Sequence, residues 1–115
     1  MARFERLIVW QKAQDFAIAI DQATRRMRAD AASQLRRSAA SIPDNIAEGS
    51  ERGSSAQFAH FLGIANGSCA EAQSQLRRAH ACGHMSREVF LDLIDTAQQI
   101  GWMLAALRRG HKAST

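Results

Sequence analysis

Long apolar runs are missing from this chain. At the N-terminus only Leu7-Ile8-Val9-Trp10 is continuous before Gln11 and Lys12 interrupt it, too short for a signal-peptide core or a membrane span. A cytoplasmic protein that makes no membrane contact is expected. Cysteine is scarce: Cys69 and Cys82 are the two present, and thirteen residues apart on one helix they lie roughly 20 Å apart, which excludes a bridge within the chain and suits a reducing compartment. No segment alternates with period two, so no strand is expected. No glycine-rich phosphate loop, Walker motif or Ser-His-Asp order is present, and without them an enzyme is the weakest class and no cofactor is expected. Proline occurs once, at Pro43.

What remains is ordinary globular material. The 115 residues are 46% hydrophobic and 23% charged, enough for one core and one domain over residues 1–115, with 110–115 as a polar tail. A net charge of +4 and a pI near 10.0 permit either nucleic acid or an acidic protein surface as partner.

Apolar residues recur at helical spacing in four segments. Val9, Ala13, Phe16, Ile20, Ala23 and Met27 mark a first helix from about Glu5 to Met27. Asp30 is placed to cap a second helix, on which Leu35, Ala39, Ile42 and Ile46 share one face and which stops at Gly49 in a left-handed end. After a loop from Gly49 to Gly53, Ser54 and Gln57 have capping-box spacing, and Phe58, Phe61, Leu62, Ala65, Cys69, Ala72, Leu76 and Ala79 mark a third helix ended by Gly83. Ser86 can cap the fourth, whose stripe is Val89, Leu93, Ala97, Ile100, Leu104 and Leu107, ending before Gly110. Four amphipathic helices with short connections predict an all-α, antiparallel up-down-up-down four-helix bundle.

The second helix is the unusual one. Pro43 removes the amide that would bond the carbonyl of Ala39, so the helix should bend or loosen there. Ser41 and Asn45 are read as serving backbone groups around it rather than as catalytic residues, because no His, Cys or Lys base lies near. Glu48 and Arg52 have the spacing of an ordinary i, i+4 ion pair. Gly67, in the middle of the third helix, is expected to mark close approach of another backbone, that of the second helix.

Three stretches carry a family resemblance: L-I-V-W-Q-K-A at 7–13, Q-L-R-R-S-A-A-S-I-P-D-N-I-A-E-G at 34–49 and F-L-G-I-A-N-G-S-C-A-E at 61–71. They resemble the signature blocks of the four-helix-bundle proteins encoded in intervening sequences of bacterial 23S ribosomal RNA genes. The resemblance implies a barrel-like homopentamer. It also implies kinship with the accessory variability determinant proteins of diversity-generating retroelements, which bind nucleic acid and a reverse transcriptase. Between the first two helices the family has a Phe-Pro turn and a Gly-Leu pair, and Met27 to Ser33 offers neither.

His80, Cys82 and His84 are too few and too divergent in direction for a structural zinc site and are read as loop residues, with no metal expected. The arginines say more. Arg25, Arg26 and Arg28 close the first helix, Arg36 and Arg37 open the second, Arg77 and Arg78 close the third and Arg87 opens the fourth, so the topology gathers all eight at one end, with Asp30 and Glu88 opposing them. Such an end can hold phosphates of RNA or DNA without reading sequence. No aromatic lies among them, which argues against single-strand binding by base stacking and leaves backbone contact as the main mode. The bland alternative is a solvated basic rim.

Leu7 and Ile18 on the first helix, and Leu91 and Trp102 on the fourth, fall opposite the core stripes. They are expected to meet other copies of the chain. Two functions stay open at this point: a nucleic-acid-binding oligomer, or an interaction module that docks an acidic protein.

Overall fold

The computed structural model describes residues 2–113. A 3₁₀ turn at Arg3–Arg6 leads into α1 (Ile8–Ala23), α2 (Ala29–Ser50), α3 (Ser55–Ala81) and α4 (Arg87–Ala113), and among the described residues there is no strand. Each helix packs on its two neighbours in the order α1, α2, α3, α4 and back to α1, while the diagonal pairs stay apart. This is the antiparallel four-helix bundle. At about 1.5 Å per residue, the 27 residues of α3 and of α4 run roughly 40 Å, which accounts for the 45 Å long axis of the molecule.

The core is built from the helical stripes. Val9, Ala13, Phe16 and Ile20 of α1 meet Leu35, Ala39, Ile42 and Ile46 of α2, Leu62, Ala65, Cys69, Ala72 and Leu76 of α3, and Leu93, Ile94, Ala97, Ile100 and Leu104 of α4. Each large aliphatic side chain removed from water there contributes about 1.5 to 3 kcal/mol. Val89 does not join them, because at the open end of α4 no neighbouring helix covers it and it stays exposed.

The helix ends explain several departures from the expected boundaries. α1 stops at Ala23 rather than Met27: Thr24 is its C-cap, its amide and its buried hydroxyl both donating to the carbonyl of Ile20, at 3.0 and 2.8 Å, and the chain then turns towards α2. Residues 3–6 form a separate 3₁₀ turn, so α1 does not begin at Glu5. Arg28, not Asp30, is the N-cap of α2, without a side-chain cap bond. Asp30 sits in the first turn, where the amide of Ala31 and the Arg28 guanidinium hold its carboxyl below the usual range. Ser54 accepts from the amide of Gln57 at 3.2 Å, and Ser86 from that of Val89 at 3.2 Å, both as expected of N-caps. Gly83 ends α3 with φ +78°, its amide bonding to His80 and that of His84 to Ala79, the paired bonds of a left-handed helix end.

Three glycines take roles other than those expected. Gly49 is helical and buried, not a left-handed end, and a Cβ there would stand 2.6 Å from Cβ of Phe61. The close approach between α2 and α3 is therefore at Gly49. Gly67 faces open space, with nothing within 4 Å of an added Cβ. Gly110 does not end α4, which runs on to Ala113; the ring of His111 packs edge-on to Phe58 at 4.6 Å and reaches Ser55 at 3.3 Å, holding that last turn against α3. Residues 114 and 115 of the expected tail lie outside the described ones.

α2 continues through Pro43 without interruption. The Asn45 amide donates to the carbonyl of Ser41 at 2.8 Å and to its hydroxyl at 3.0 Å, so it serves Ser41 and not the carbonyl of Ala39 that the proline leaves without its amide.

Candidate nucleic-acid interface

The antiparallel topology brings the last turns of α1 and α3, the first turns of α2 and α4 and both loops between them to one end. A cleft of about 200 Å³ there is lined by Met27, Asp30, Leu35, Arg78, Cys82 and His84 among others, which ties the two loops to the helix ends. Arg25, Arg26, Arg28, Arg37, Arg77, Arg78 and Arg87 are all exposed at this end.

Arg36 is different. Its Nε donates to the hydroxyl of the buried Thr24 at 2.9 Å and lies 3.4 Å from Asp21. It clamps α2 to the end of α1, and its charge is partly answered by Asp21, an acid that the sequence reading did not set against the arginines. Arg28 pairs with Asp30 at 3.1 Å. Arg25, Arg26, Arg37, Arg77, Arg78 and Arg87 make no ion pair among the described residues.

From this end a polar cleft of about 440 Å³ runs between α2 and α3, sharing Gln34 and Gln75 with the smaller one. Ser38 donates to Glu71 at 2.7 Å, and Ser41 and Ser68 bond hydroxyl to hydroxyl at 2.8 Å. Arg37 stands on its wall, and Oε1 of Gln75 is buried without a hydrogen-bond partner. The cleft was missed from sequence although its signal is there: Gln34, Ser38, Ser41 and Asn45 on one helix and Ser68, Glu71 and Gln75 on another recur at three and four residues, a polar stripe at helical spacing.

A family model described as 23S rRNA-intervening sequence protein matches residues 5–106. The chain belongs to that family. A solved structure of a protein of unknown function from the S23 ribosomal protein family of Bacteroides thetaiotaomicron is similar to it, at 24% identity and a TM-score of 0.82, over 88% of this chain and 98% of the other. At that identity the likeness concerns the fold. No curated protein matches.

In this member of the 23S rRNA-intervening sequence family the S-I-P-D-N-I-A-E-G block lies along the contact between α2 and α3. Ser41 and Asn45 join the polar contact between α2 and α3, Pro43 is buried, Glu48 pairs with Arg52 at 2.6 Å, and Arg52 lies over the ring of Phe61 at 5.1 Å. Gly49 supplies the close approach described above.

Of the four residues placed on outer faces, Ile18, Leu91 and Trp102 are exposed, Trp102 by 71%. Leu7 is not. It is the N-cap of α1 with extended backbone, so the helical wheel does not apply to it, and its side chain packs against the core. Ile8 takes the exposed position instead.

The third-helix histidine and its neighbours are spread apart: His80 stacks on Phe90 at 4.5 Å and Cys82 is exposed. Among the described residues no three His, Cys, Asp or Glu side chains are grouped as a metal would need, and no helix is long and apolar enough to cross a membrane. The opposite end of the bundle is basic too, through Arg3, Arg6, Arg108 and Arg109 and through Arg52, the partner of Glu48. The Arg108 guanidinium lies against Gly63, about 3.0 Å from where a Cβ would stand.

Proposed function

We propose that this protein is a non-enzymatic, cytoplasmic nucleic-acid-binding protein that acts as a homo-oligomer, a pentamer as the family resemblance implies. The observation that carries the reading is the set Arg25, Arg26, Arg37, Arg77, Arg78 and Arg87, exposed at one end and without acidic partners among the described residues. Guanidinium groups left without a carboxylate are suited to phosphate oxygens, and each phosphate neutralised adds about 0.9 to the slope of log K against log salt on duplex. Self-association is supported by Trp102 and Leu91 on α4 and by Ile8 and Ile18 on α1. Side chains of that size left in water are typical anchors of a protein interface. Ring closure would repeat the basic end once per subunit, so weak phosphate contacts act together through effective concentration.

The test is filter binding at two salt concentrations. Wild type should bind duplex or single strands with a steep salt dependence, and replacing Arg37, Arg77, Arg78 and Arg87 together by Gln should weaken binding and flatten the slope. Absence of binding at low salt would overturn the reading and leave the docking of an acidic protein on the same arginines.

A further inference from the structure

The end of the bundle away from the arginine cluster holds a cavity of about 260 Å³, close to the lower bound of small-molecule sites and so suited to a compact ligand. It opens between the starts of two helices and the ends of the other two. Leu7, the N-cap of α1, and Ser54 and Ser55, which begin α3, line it together with Arg3, Ser50 and His111. Each helix start brings backbone amides without intrahelical acceptors and the positive end of its dipole. Neither α1 nor α3 has an acidic residue in its first turn, and α1 has no side-chain cap. At α3 the Ser54 hydroxyl takes the amide of Gln57 and its carbonyl takes that of Phe58, which leaves the amides of Ser55 and Ala56 for another acceptor. The carbonyls of Ala47 and Gly49 at the end of α2 meet the amides of Glu51 and Arg52, which limits the opposing partial charge.

Ser50 points to a ligand most directly. It is 7% exposed and lines the cavity, and its hydroxyl makes no hydrogen bond among the described residues. Unlike Nε of Arg108 and Oε1 of Gln75, unpartnered atoms that are sealed from solvent, it is left open to the cavity. A buried hydroxyl without a partner costs free energy that a bound acceptor restores. Arg3 is exposed and makes no ion pair among the described residues, and none of the described residues lining the cavity is acidic.

We propose that this cavity binds a phosphomonoester. The reading goes beyond nucleic-acid binding at the arginine end and stands independently of it. A phosphomonoester has three terminal oxygens and close to two negative charges, so it can accept at once from the Ser50 hydroxyl, the α3 amides and the Arg3 guanidinium, donors that come from three separate elements. Helix starts favour such anions, and charge-assisted bonds to them are about twice as strong as neutral ones. The phosphodiester of a strand's interior has one charge and two free oxygens, so a terminal phosphate is preferred. Leu7 and Phe58 give the cavity an apolar wall suited to the organic part of the ester. A free mononucleotide and the phosphorylated 5′ end of a strand both carry this group.

Isothermal titration calorimetry on the full chain, with inorganic phosphate, adenosine 5′-monophosphate and adenosine as probes, tests the proposal. The monophosphate should bind more tightly than inorganic phosphate, and adenosine should not bind. Ser50→Ala, which removes the hydroxyl alone, and Arg3→Gln, at an exposed side chain, should each weaken the monophosphate about tenfold. Circular dichroism melts confirm that each variant is folded, and either one suffices if the other is not. An oligonucleotide with a 5′-phosphate that outbinds its 5′-hydroxyl counterpart, the gain being lost in Ser50→Ala, supports the site with a strand end as its source. Binding of the monophosphate while the two oligonucleotides bind equally supports it with a free nucleotide as source. No binding of phosphate or monophosphate at millimolar concentration overturns the proposal and leaves the arginine end untouched. Adenosine binding as tightly as its monophosphate likewise overturns it. So does wild-type affinity in both variants, and if replacing Arg37, Arg77, Arg78 and Arg87 together by Gln then abolishes binding, the phosphate sits at the arginine end instead.

Discussion

The Arg36 guanidinium donates through Nε to the Thr24 hydroxyl at 2.9 Å, and Thr24 is fully buried while donating its own proton to the carbonyl of Ile20. Two adjacent arginines in the sequence therefore have different work: Arg36 holds helices together, and Arg37 faces solvent. Arg36→Gln should lower stability by about 1 to 2 kcal/mol, the cost of removing a charge-assisted bond to a buried hydroxyl, and leave the salt slope of nucleic-acid binding unchanged. Arg37→Gln should do the reverse. Urea melts and binding isotherms on the two variants check the pair, and an equal loss of stability in both would contradict the assignment.

Asn45 bonds both the carbonyl and the hydroxyl of Ser41, whose hydroxyl in turn meets Ser68 across the α2 and α3 contact. Asn45→Ala should destabilise by roughly 1 to 3 kcal/mol, since partly buried groups lose their partners. A denaturant midpoint within error of wild type would show that water replaces the amide.

The two glycines should respond in opposite directions to the same substitution. Gly49→Ala forces its new methyl group towards Cβ of Phe61, backbone-attached and unable to swing away, so a loss of about 1 to 3 kcal/mol is expected. Gly67→Ala meets nothing and should gain up to about 1 kcal/mol in helix propensity. Thermal melts of the two variants, read side by side, measure both signs.

The cysteines differ in reactivity. Burial pushes the Cys69 thiol up, and its Sγ donates to the carbonyl of Ala97 at 3.1 Å, whereas Cys82 is exposed. Native protein at pH 8 should titrate one thiol quickly with an aromatic disulfide reagent and the second only after denaturant is added. Because the folded Cys69 holds its proton to higher pH than the unfolded thiol, its contribution to stability is complete below the unfolded pKa. That contribution declines as pH rises through the alkaline range. Two fast thiols in native protein would mean that α3 and α4 separate readily.

Trp102→Glu should give a folded protein of lower mass in light scattering and weaker nucleic-acid binding, if α4 is a seam between copies. A monomeric wild type at micromolar concentration, or a fully assembled variant, would move the seam elsewhere.

The helical stripes were readable because a period of 3.6 reports which residues of one helix share a face. Phe16, Ile20, Leu35, Ile46, Leu76 and Leu104 all lie in the core, as their spacing requires. That period does not report what stands opposite. Hence the close approach expected at Gly67 falls instead at Gly49, which Phe61 faces. The arginines were legible as a set from topology, but Thr24 and Asp21, which occupy Arg36, are twelve and fifteen residues away in sequence, on another helix. Leu7 lies one residue before the helix begins, where the helical period no longer sets which way a side chain faces.

α1 is the shortest helix, 16 residues against 27 in α3 and α4, and its contact with α4 is the least extensive in the ring. Amide exchange should therefore proceed in two tiers. The hydrogens of α1 should exchange through an opening that leaves α2, α3 and α4 in place, at lower free energy than global unfolding, while those of mid-α3 exchange only when the whole chain unfolds. Such an opening would bare the inner faces of α2 and α4, the surfaces that a second chain's α1 would need in any exchange of helices between copies.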